Sequence, residues 1–350
     1  MNVVVIGDIH VLADYYAEQI SQLPWLRKPE IKKYHWYPET KEAFQEAAQK
    51  IEKTGPETSQ IPSGLLADCA DAQAIFTHFC PVNRAMIRGA RHLQLIGTCR
   101  GGVEHISPEA KARGIPVISV VRNAEPVADF TLGLLLAEYR NIARGHHALR
   151  ASQWQKGYPN SGYLGNLRDL TVGVIGFGAI GQLVARKLRA LGMRVLVHDP
   201  YVSPQQRKEI DGLAWACSLT DLLQESDVVT LHVRSAQGQP PILDRQAFEQ
   251  MKPGAFLINT SRAYAVEEVA LIEALTNKQI AGAALDVFWE EPIPLDHPLL
   301  SLDNVTLTPH IAGDTPQAIS KSPKLLVEKI VAHCRKSSVP LMKCGVSSRR

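Results

Sequence analysis

Three glycines and one aspartate supply the first chemistry in this chain. Gly176, Gly178 and Gly181 stand in G-x-G-x-x-G spacing at the end of the apolar run Val172 to Ile175, and Asp199 follows eighteen residues after the last of them. The first glycine permits a tight turn, the second lets backbone approach a pyrophosphate, and the third lets the following helix pack on the strand. The segment Gly176, Gly178, Ala179, Ile180 and Gly181 would present free N–H groups at a helix N-terminus, where the macrodipole favours phosphate. Spacing alone is weak, but Ile180, Leu183, Val184, Leu188 and Leu191 continue at helical period and Gly192 is placed to stop that helix. Arg194 to His198 then reads as a second strand that delivers Asp199. An acid there accepts both ribose hydroxyls of NAD and repels the 2′-phosphate of NADP, and Pro200 and Tyr201 offer no compensating cation. The implied cofactor is NAD.

A second set of polar residues lies further on. Open α/β sheets bind ligands beyond the carboxyl ends of their strands. The strands read at Asp227 to Val233, Ala255 to Asn259, Ala281 to Leu285 and Val305 to Leu307 end near Arg262, near Asp286 with Glu291 just beyond, and near His310. Oxidising a secondary alcohol with NAD needs a base for the hydroxyl proton and a cation for a substrate anion. Histidine suits the first task, and a carboxylate beside it would favour the protonated ring and fix its orientation. Arg262 could grip a carboxylate through two parallel hydrogen bonds. Asp286 would be placed to bond a nicotinamide carboxamide. Each also has a plainer reading, as a surface ion pair or a turn residue.

The elements that must position these groups follow an α/β rhythm. At 350 residues the chain exceeds the usual size of one core, so two domains are expected. The first 121 residues give strands at Val3 to Ile6, Lys32 to Trp36, Ala74 to Thr77, Leu93 to Ile96 and Val117 to Val121. They carry no glycine fingerprint, so this part reads as a partner domain. Residues 54–64 form the clearest surface loop, and Asn123 reads as the cap of a long helix running to about Leu149. That helix holds Phe130, Leu132, Leu134, Leu135 and Leu136, too apolar to face water on every side. With 45% hydrophobic and 21% charged residues the composition is that of an ordinary soluble protein. The opening MNVVVIGDIH reads as a strand rather than a signal peptide, and no run approaches a membrane span. The six cysteines lack C-x-x-C spacing and read as reduced thiols in a cytoplasmic protein, with no metal implied. Residues 321–350 carry eight Lys or Arg against Glu328 alone, which reads as a solvated helix and a frayed end rather than a nucleic-acid or membrane contact.

The stretches MKPGAFLINTSR, ALDVFWEEP and NVTLTPHIAG resemble the three C-terminal signatures of the D-isomer-specific 2-hydroxyacid dehydrogenases, a family that includes D-3-phosphoglycerate dehydrogenase and the glyoxylate and hydroxypyruvate reductases. With NAEPVADFTLGLLLAEYRN, the glycine fingerprint and SDVVTLHV, the resemblance covers about residues 90–320. It implies Arg262 for the substrate carboxylate, Glu291 as partner of the histidine, His310 as acid–base, Asp199 for the adenosine ribose and Asp286 for the nicotinamide side. It also implies a Rossmann-type doubly wound parallel sheet, residues 122–312, inserted into a smaller flavodoxin-like α/β substrate domain made of residues 1–121 and 313–350. The active site would be the cleft between them, and a homodimer through the nucleotide domain would cover the apolar helix.

The departures from that pattern bear on the substrate. Arg262-Ala263-Tyr264 replaces the usual Arg-Gly-Gly, and Arg234 replaces the usual proline after LHV. The substrate-lobe loop reads TCRGGVEH, which carries the role of holding the substrate carboxylate to Arg100, Gly101 and Gly102. Arg100 adds a cation, which motivates a second anionic group on the substrate. Thr77 and His78 lie where relatives place other substrate contacts. The expected activity is interconversion of a small D-2-hydroxy acid and its 2-oxo acid with NAD. The rival reading is a non-catalytic NAD(H)-sensing protein like the corepressors that share this architecture.

Overall fold

The computed structural model of the chain describes residues 1–24, 29–203, 206, 208, 210 and 212–336. They fall into two units, Met1–Asn123 with the segment from Thr315 onward, and Ala124–Asp314. Among the described residues no helix is long and apolar enough to cross a membrane.

The first unit is built on five strands, β1 (Asn2–Gly7), β2 (Glu30–His35), β3 (Ala74–Thr77), β4 (Leu95–Thr98) and β5 (Val117–Ser119), in the order β2-β1-β3-β4-β5 and all parallel. Both faces are covered, as a parallel sheet requires. Val3 and Val5 pack with Phe76 and with Leu326 and Ile330 of the helix Ser322–Lys336, while Val4 and Ile6 face the opposite core with Ile75 and Ile96. The basic terminal region thus begins as a helix whose apolar stripe is buried; its last fourteen residues, and with them Cys344, lie outside the described residues.

The second unit carries β6 (Thr171–Ile175), β7 (Arg194–His198), β8 (Trp215–Ala216), β9 (Val228–Leu231), β10 (Phe256–Asn259), β11 (Gly282–Leu285) and β12 (Val305–Leu307), in the order β12-β11-β10-β9-β6-β7-β8. The chain runs outward one way from β6 through β7 to β8, then returns to β9 and runs out the other way. The carboxyl ends of β6 and β9 therefore flank a topological switch point, where open sheets bind ligands. Register levels those ends: Ile175 is opposite Leu231, Leu231 opposite Asn259, Asn259 opposite Leu285, and Leu285 opposite Leu307. Residues just beyond these positions share one edge of the sheet.

Three expectations need correction. The helix from Asn123 to Leu149 is two helices, Ala124–Tyr139 and Ile142–Arg150, because Asn141 turns left-handed at φ 55°. That break is tied down by polar groups: the Asn141 amide donates to Asn160 Oδ1, Asn160 Nδ2 donates to the Glu138 carbonyl, and Arg144 forms a 2.7 Å ion pair with the buried Glu138 carboxylate. Leu134 and Leu135 are buried in the unit's own core, with Phe130, Leu132 and Leu136 partly buried against it. The fourth strand lies two residues later than its apolar run, since Leu93 enters the core from the preceding loop. The short edge strand β8 is additional to the strands expected, although it lies in the apolar run Leu213 to Cys217; both its residues are exposed. Among the described residues Cys69, Cys80, Cys99 and Cys217 are free thiols.

In the first unit, burial, reinforced by the nearby Arg100 charge, pushes His105 down to about 3. The Thr98 hydroxyl donates to the His78 carbonyl and so accepts from His105 Nε2 at 2.9 Å, which puts the proton of the neutral ring on Nε2. In the unfolded chain this histidine titrates near 6.5. The unfolded state therefore binds the extra proton, and stability is full above about pH 6.5 and falls toward pH 3. The expected slope is about 1.4 kcal/mol per pH unit for this one group. Denaturant unfolding between pH 7.5 and 4.5 should show that slope, and His105→Gln, which keeps a donor toward Thr98, should reduce it by one proton; an unchanged slope would contradict the assignment.

Candidate active site

The turn after β6 is shaped by what its glycines exclude. Gly176 adopts φ 94°, and a Cβ there would lie 2.4 Å from the His232 carbonyl oxygen; one on Gly181 would lie 2.0 Å from the Gly176 carbonyl oxygen. The helix Ala179–Ala190 is thereby drawn onto the turn and the turn onto the end of β9. Gly178, which precedes that helix, has no heavy atom within 4 Å of its missing Cβ. The helix N-terminus carries no side-chain cap, so its first-turn N–H groups have no side-chain acceptor at the cap position. At the end of β7, Asp199 Oδ2 accepts from Phe177 N at 2.7 Å and Oδ1 from Tyr201 N at 2.8 Å. Each oxygen keeps a further lone pair, enough for two hydroxyl donors. An uncapped helix start beside an anchored carboxylate fits a dinucleotide: pyrophosphate on the turn, diol on Asp199.

Across the switch point, three neighbouring strand ends carry the remaining candidates. After β10, Asn259 organises the exit: its Oδ1 accepts from Ser261 N and Ser261 Oγ at 3.0 Å, and its Nδ2 donates to the Arg262 carbonyl at 3.0 Å. Arg262 is exposed and extended, with one N–H donated to Ser261 O, and among the described residues no carboxylate pairs with it. After β11, Asp286 is fully buried. Its carboxylate accepts from Thr308 Oγ1 at 2.6 Å, Ile311 N at 3.0 Å and Ala312 N at 2.8 Å, bridging to the segment after β12. That segment holds His310 at φ 54°, an uncommon left-handed conformation for a non-glycine residue, sustained by the bonds on either side of it. His310 Nδ1 lies 2.7 Å from Glu291 Oε2, while Glu291 Oε1 accepts from Phe288 N at 3.0 Å. Glu291 thus accepts the Nδ1–H hydrogen bond and leaves Nε2 to exchange a proton with a ligand. Both side chains are partly exposed.

Asp286 is mainly a clamp. Three of its roughly four lone-pair directions are used inside the protein, which leaves one at most for a nicotinamide amide. Asn259, Thr308 and the Thr131–Thr260 hydroxyl pair at 2.8 Å are positioning groups that the sequence reading quoted within its motifs and gave no role. Asn259, Thr260 and Thr308 carry a readable signal, as small polar residues at or beside a strand end, whereas Thr131 lies inside the helix Ala124–Tyr139. Tyr264 does not stand free in place of the usual glycine. Its hydroxyl donates to the Trp289 carbonyl at 3.0 Å, and Trp289 Nε1 donates to Val266 O at 3.0 Å, so the two loops brace each other. Arg234 is exposed three residues past the end of β9.

The other predicted contacts belong to the first unit. Arg100 follows β4, but its guanidinium pairs with Glu52 at 2.7 Å and lies over the Phe79 ring at 4.1 Å. The cation that motivated a second anionic group on the substrate is thus already engaged by Glu52 and Phe79. Gly101 and Gly102 form the turn that follows. His78 is completely buried; its Nδ1 meets Asp8 Oδ2 at 2.7 Å, and Asp8 Oδ1 accepts from His10 N and Val11 N. Burial outweighs the Asp8 contact and lowers His78, while the contact and the two amides overcome burial and lower Asp8. The pair is therefore a neutral ring on a carboxylate inside the core.

Comparison with known proteins places this geometry. Residues 132–312 match the family model described as D-isomer specific 2-hydroxyacid dehydrogenase, NAD binding domain. The chain is 36% identical over 256 residues to a D-3-phosphoglycerate dehydrogenase of Archaeoglobus fulgidus, a match covering 71% of this chain and 47% of that protein. It is 36% identical over 259 residues to a glyoxylate reductase of Thermofilum pendens, covering 72% of this chain and 75% of that one. The chain thus matches about half the length of the first relative and three quarters of the second. Among solved structures, a D-lactate dehydrogenase from Aquifex aeolicus complexed with NAD and lactic acid superposes over 95% of both chains, with 25% identity and a TM-score of 0.61.

The clamp can be tested without any ligand. Asp286→Asn leaves one acceptor oxygen where two served three donors. Losing a charge-assisted bond of about 1.5–3 kcal/mol should speed amide exchange at Ile311 and Ala312 about tenfold or more. Unchanged protection at both amides would show that the segment is held by something else.

Proposed function

The chain belongs to the D-isomer specific 2-hydroxyacid dehydrogenases, and from that premise we propose that it interconverts a small D-2-hydroxy acid and its 2-oxo acid, with NAD as cofactor. The observation that carries the reading is the His310–Glu291 pair with Nε2 left to a ligand, beside an Arg262 that has no carboxylate partner among the described residues. Bound NADH supplies the hydride in the reductive direction. His310 Nε2 donates the proton to the carbonyl oxygen, and in oxidation it takes the proton from the hydroxyl. Glu291 stabilises the charged ring and keeps its proton-bearing edge fixed through its second bond to Phe288 N. Arg262 holds the substrate carboxylate, and orientation supplies much of the rate. Asp199 selects the diol of NAD, and the segment from Gly176 to Gly181 holds the pyrophosphate. The backbone of Gly101 and Gly102 is kept as a proposed carboxylate contact; Arg100, already paired, is assigned to shaping that turn. A homodimer through the helix Ala124–Tyr139 belongs to the same proposal, supported by the partly buried Phe130, Leu132 and Leu136.

NADH oxidation against a panel of small 2-oxo acids, half of them phosphorylated, tests the reaction and its substrate range together. His310→Gln should lower turnover by about a hundred- to ten-thousand-fold while NADH titrates with unchanged affinity. Near-normal turnover in that variant would remove His310 from the reaction. NADH binding with no 2-oxo acid reduced by the wild type would favour the sensor instead.

A further inference from the structure

The first unit contains a cavity of about 640 Å³. This is the size of a small-molecule site. Its walls are apolar, from Ile106, Pro108, Ala110, Ile115 and Val117, and two charged residues of opposite sign, Glu104 and Lys111, also line it. Lys111 is exposed, and among the described residues no carboxylate pairs with it. Arg100 pairs with Glu52, and among the described residues no cation lies at ion-pair distance from Glu104. The cavity therefore offers an apolar body with one cation and one anion.

We propose that this cavity binds an apolar α-amino acid, its side chain on Ile106 and Ile115, its carboxylate on Lys111 and its ammonium on Glu104. A fatty acid would meet Lys111 but set its carboxylate against Glu104, and an alkylamine would do the reverse. Only a zwitterion with an apolar tail answers all three features. The site is coupled to the neighbouring turn. The Glu104 carboxylate is folded against Gly102, where a Cβ would lie 2.1 Å from Oε2. An ammonium that engages Glu104 neutralises a negative charge beside Gly101 and Gly102. If those glycines hold the substrate carboxylate, as the proposed function has it, occupancy lowers KM for the 2-oxo acid and leaves kcat nearly unchanged. Binding itself does not depend on that reading.

Calorimetric titration of the full chain with L-leucine, 4-methylpentanoate, 3-methylbutylamine and glycine tests the site directly. Leucine should bind saturably, and each of the other three, lacking one of the three features, at least tenfold more weakly. Lys111→Glu, an exposed change, should weaken leucine at least tenfold and favour the amine. Ala110→Trp should fill the cavity and abolish binding while NADH-linked turnover without leucine stays within twofold of wild type. Absence of saturable leucine binding, or equal binding of the single-charge analogues, would overturn the assignment. Leucine binding without a change in KM would leave the site standing and remove its link to the turn.

Discussion

A buried carboxylate is stable only when its lone pairs are met, and in this protein one such carboxylate organises the site. Asp286 sits with no exposure at the end of β11, the strand next to the sheet edge, and its desolvation is offset by three donors, all from the segment after the neighbouring strand. That segment contains the one candidate acid–base residue, held in a conformation that costs free energy for any residue with a Cβ. The need to satisfy Asp286 thus fixes the backbone of His310, and Glu291 fixes its ring. The chemistry rests on a carboxylate that has little room left for substrate or cofactor.

The sheet makes this arrangement available. Parallel strands in level register bring Asn259, Asp286 and Thr308 to one edge, although 49 residues separate the first from the last in the chain. The same edge continues across the switch point to Gly176, where the glycines let helix, turn and neighbouring strand approach to distances a methyl group would forbid. Backbone N–H groups and an anchored acid are thereby left facing the same way as the histidine.

Among the described residues two of the three carboxylate–imidazole pairs make their contact through Nδ1, and burial separates the roles of those two. Asp8–His78 and Glu291–His310 have the same 2.7 Å contact to Nδ1, and in each the carboxylate's other oxygen accepts backbone amides. His78 is entirely enclosed and its protonated form is suppressed, so it acts as a core hydrogen-bonding group. His310 is about half exposed and can exchange a proton with a ligand.

Much of this was legible in the residues. The G-x-G-x-x-G spacing and Asp199 announced the cofactor cradle because each position has a steric or electrostatic requirement that few residue types meet. Arg262, Glu291 and His310 were legible because parallel strands announce themselves as apolar runs whose ends collect polar groups. Less local features were not. The break at Asn141 depends on Asn160 and Arg144, which helical periodicity does not register, and the pairing of Arg100 with Glu52 joins residues 48 apart. The sequence by itself determined the cofactor and the α/β logic of the fold and singled out the candidate reactive side chains, since these follow from residue type and short spacing. Tertiary structure alone decided that Asp286 is a clamp, that Arg100 is already paired and that one of the two histidines held through Nδ1 is sealed away, because desolvation and partner choice are set by what long-range packing brings within about three ångströms.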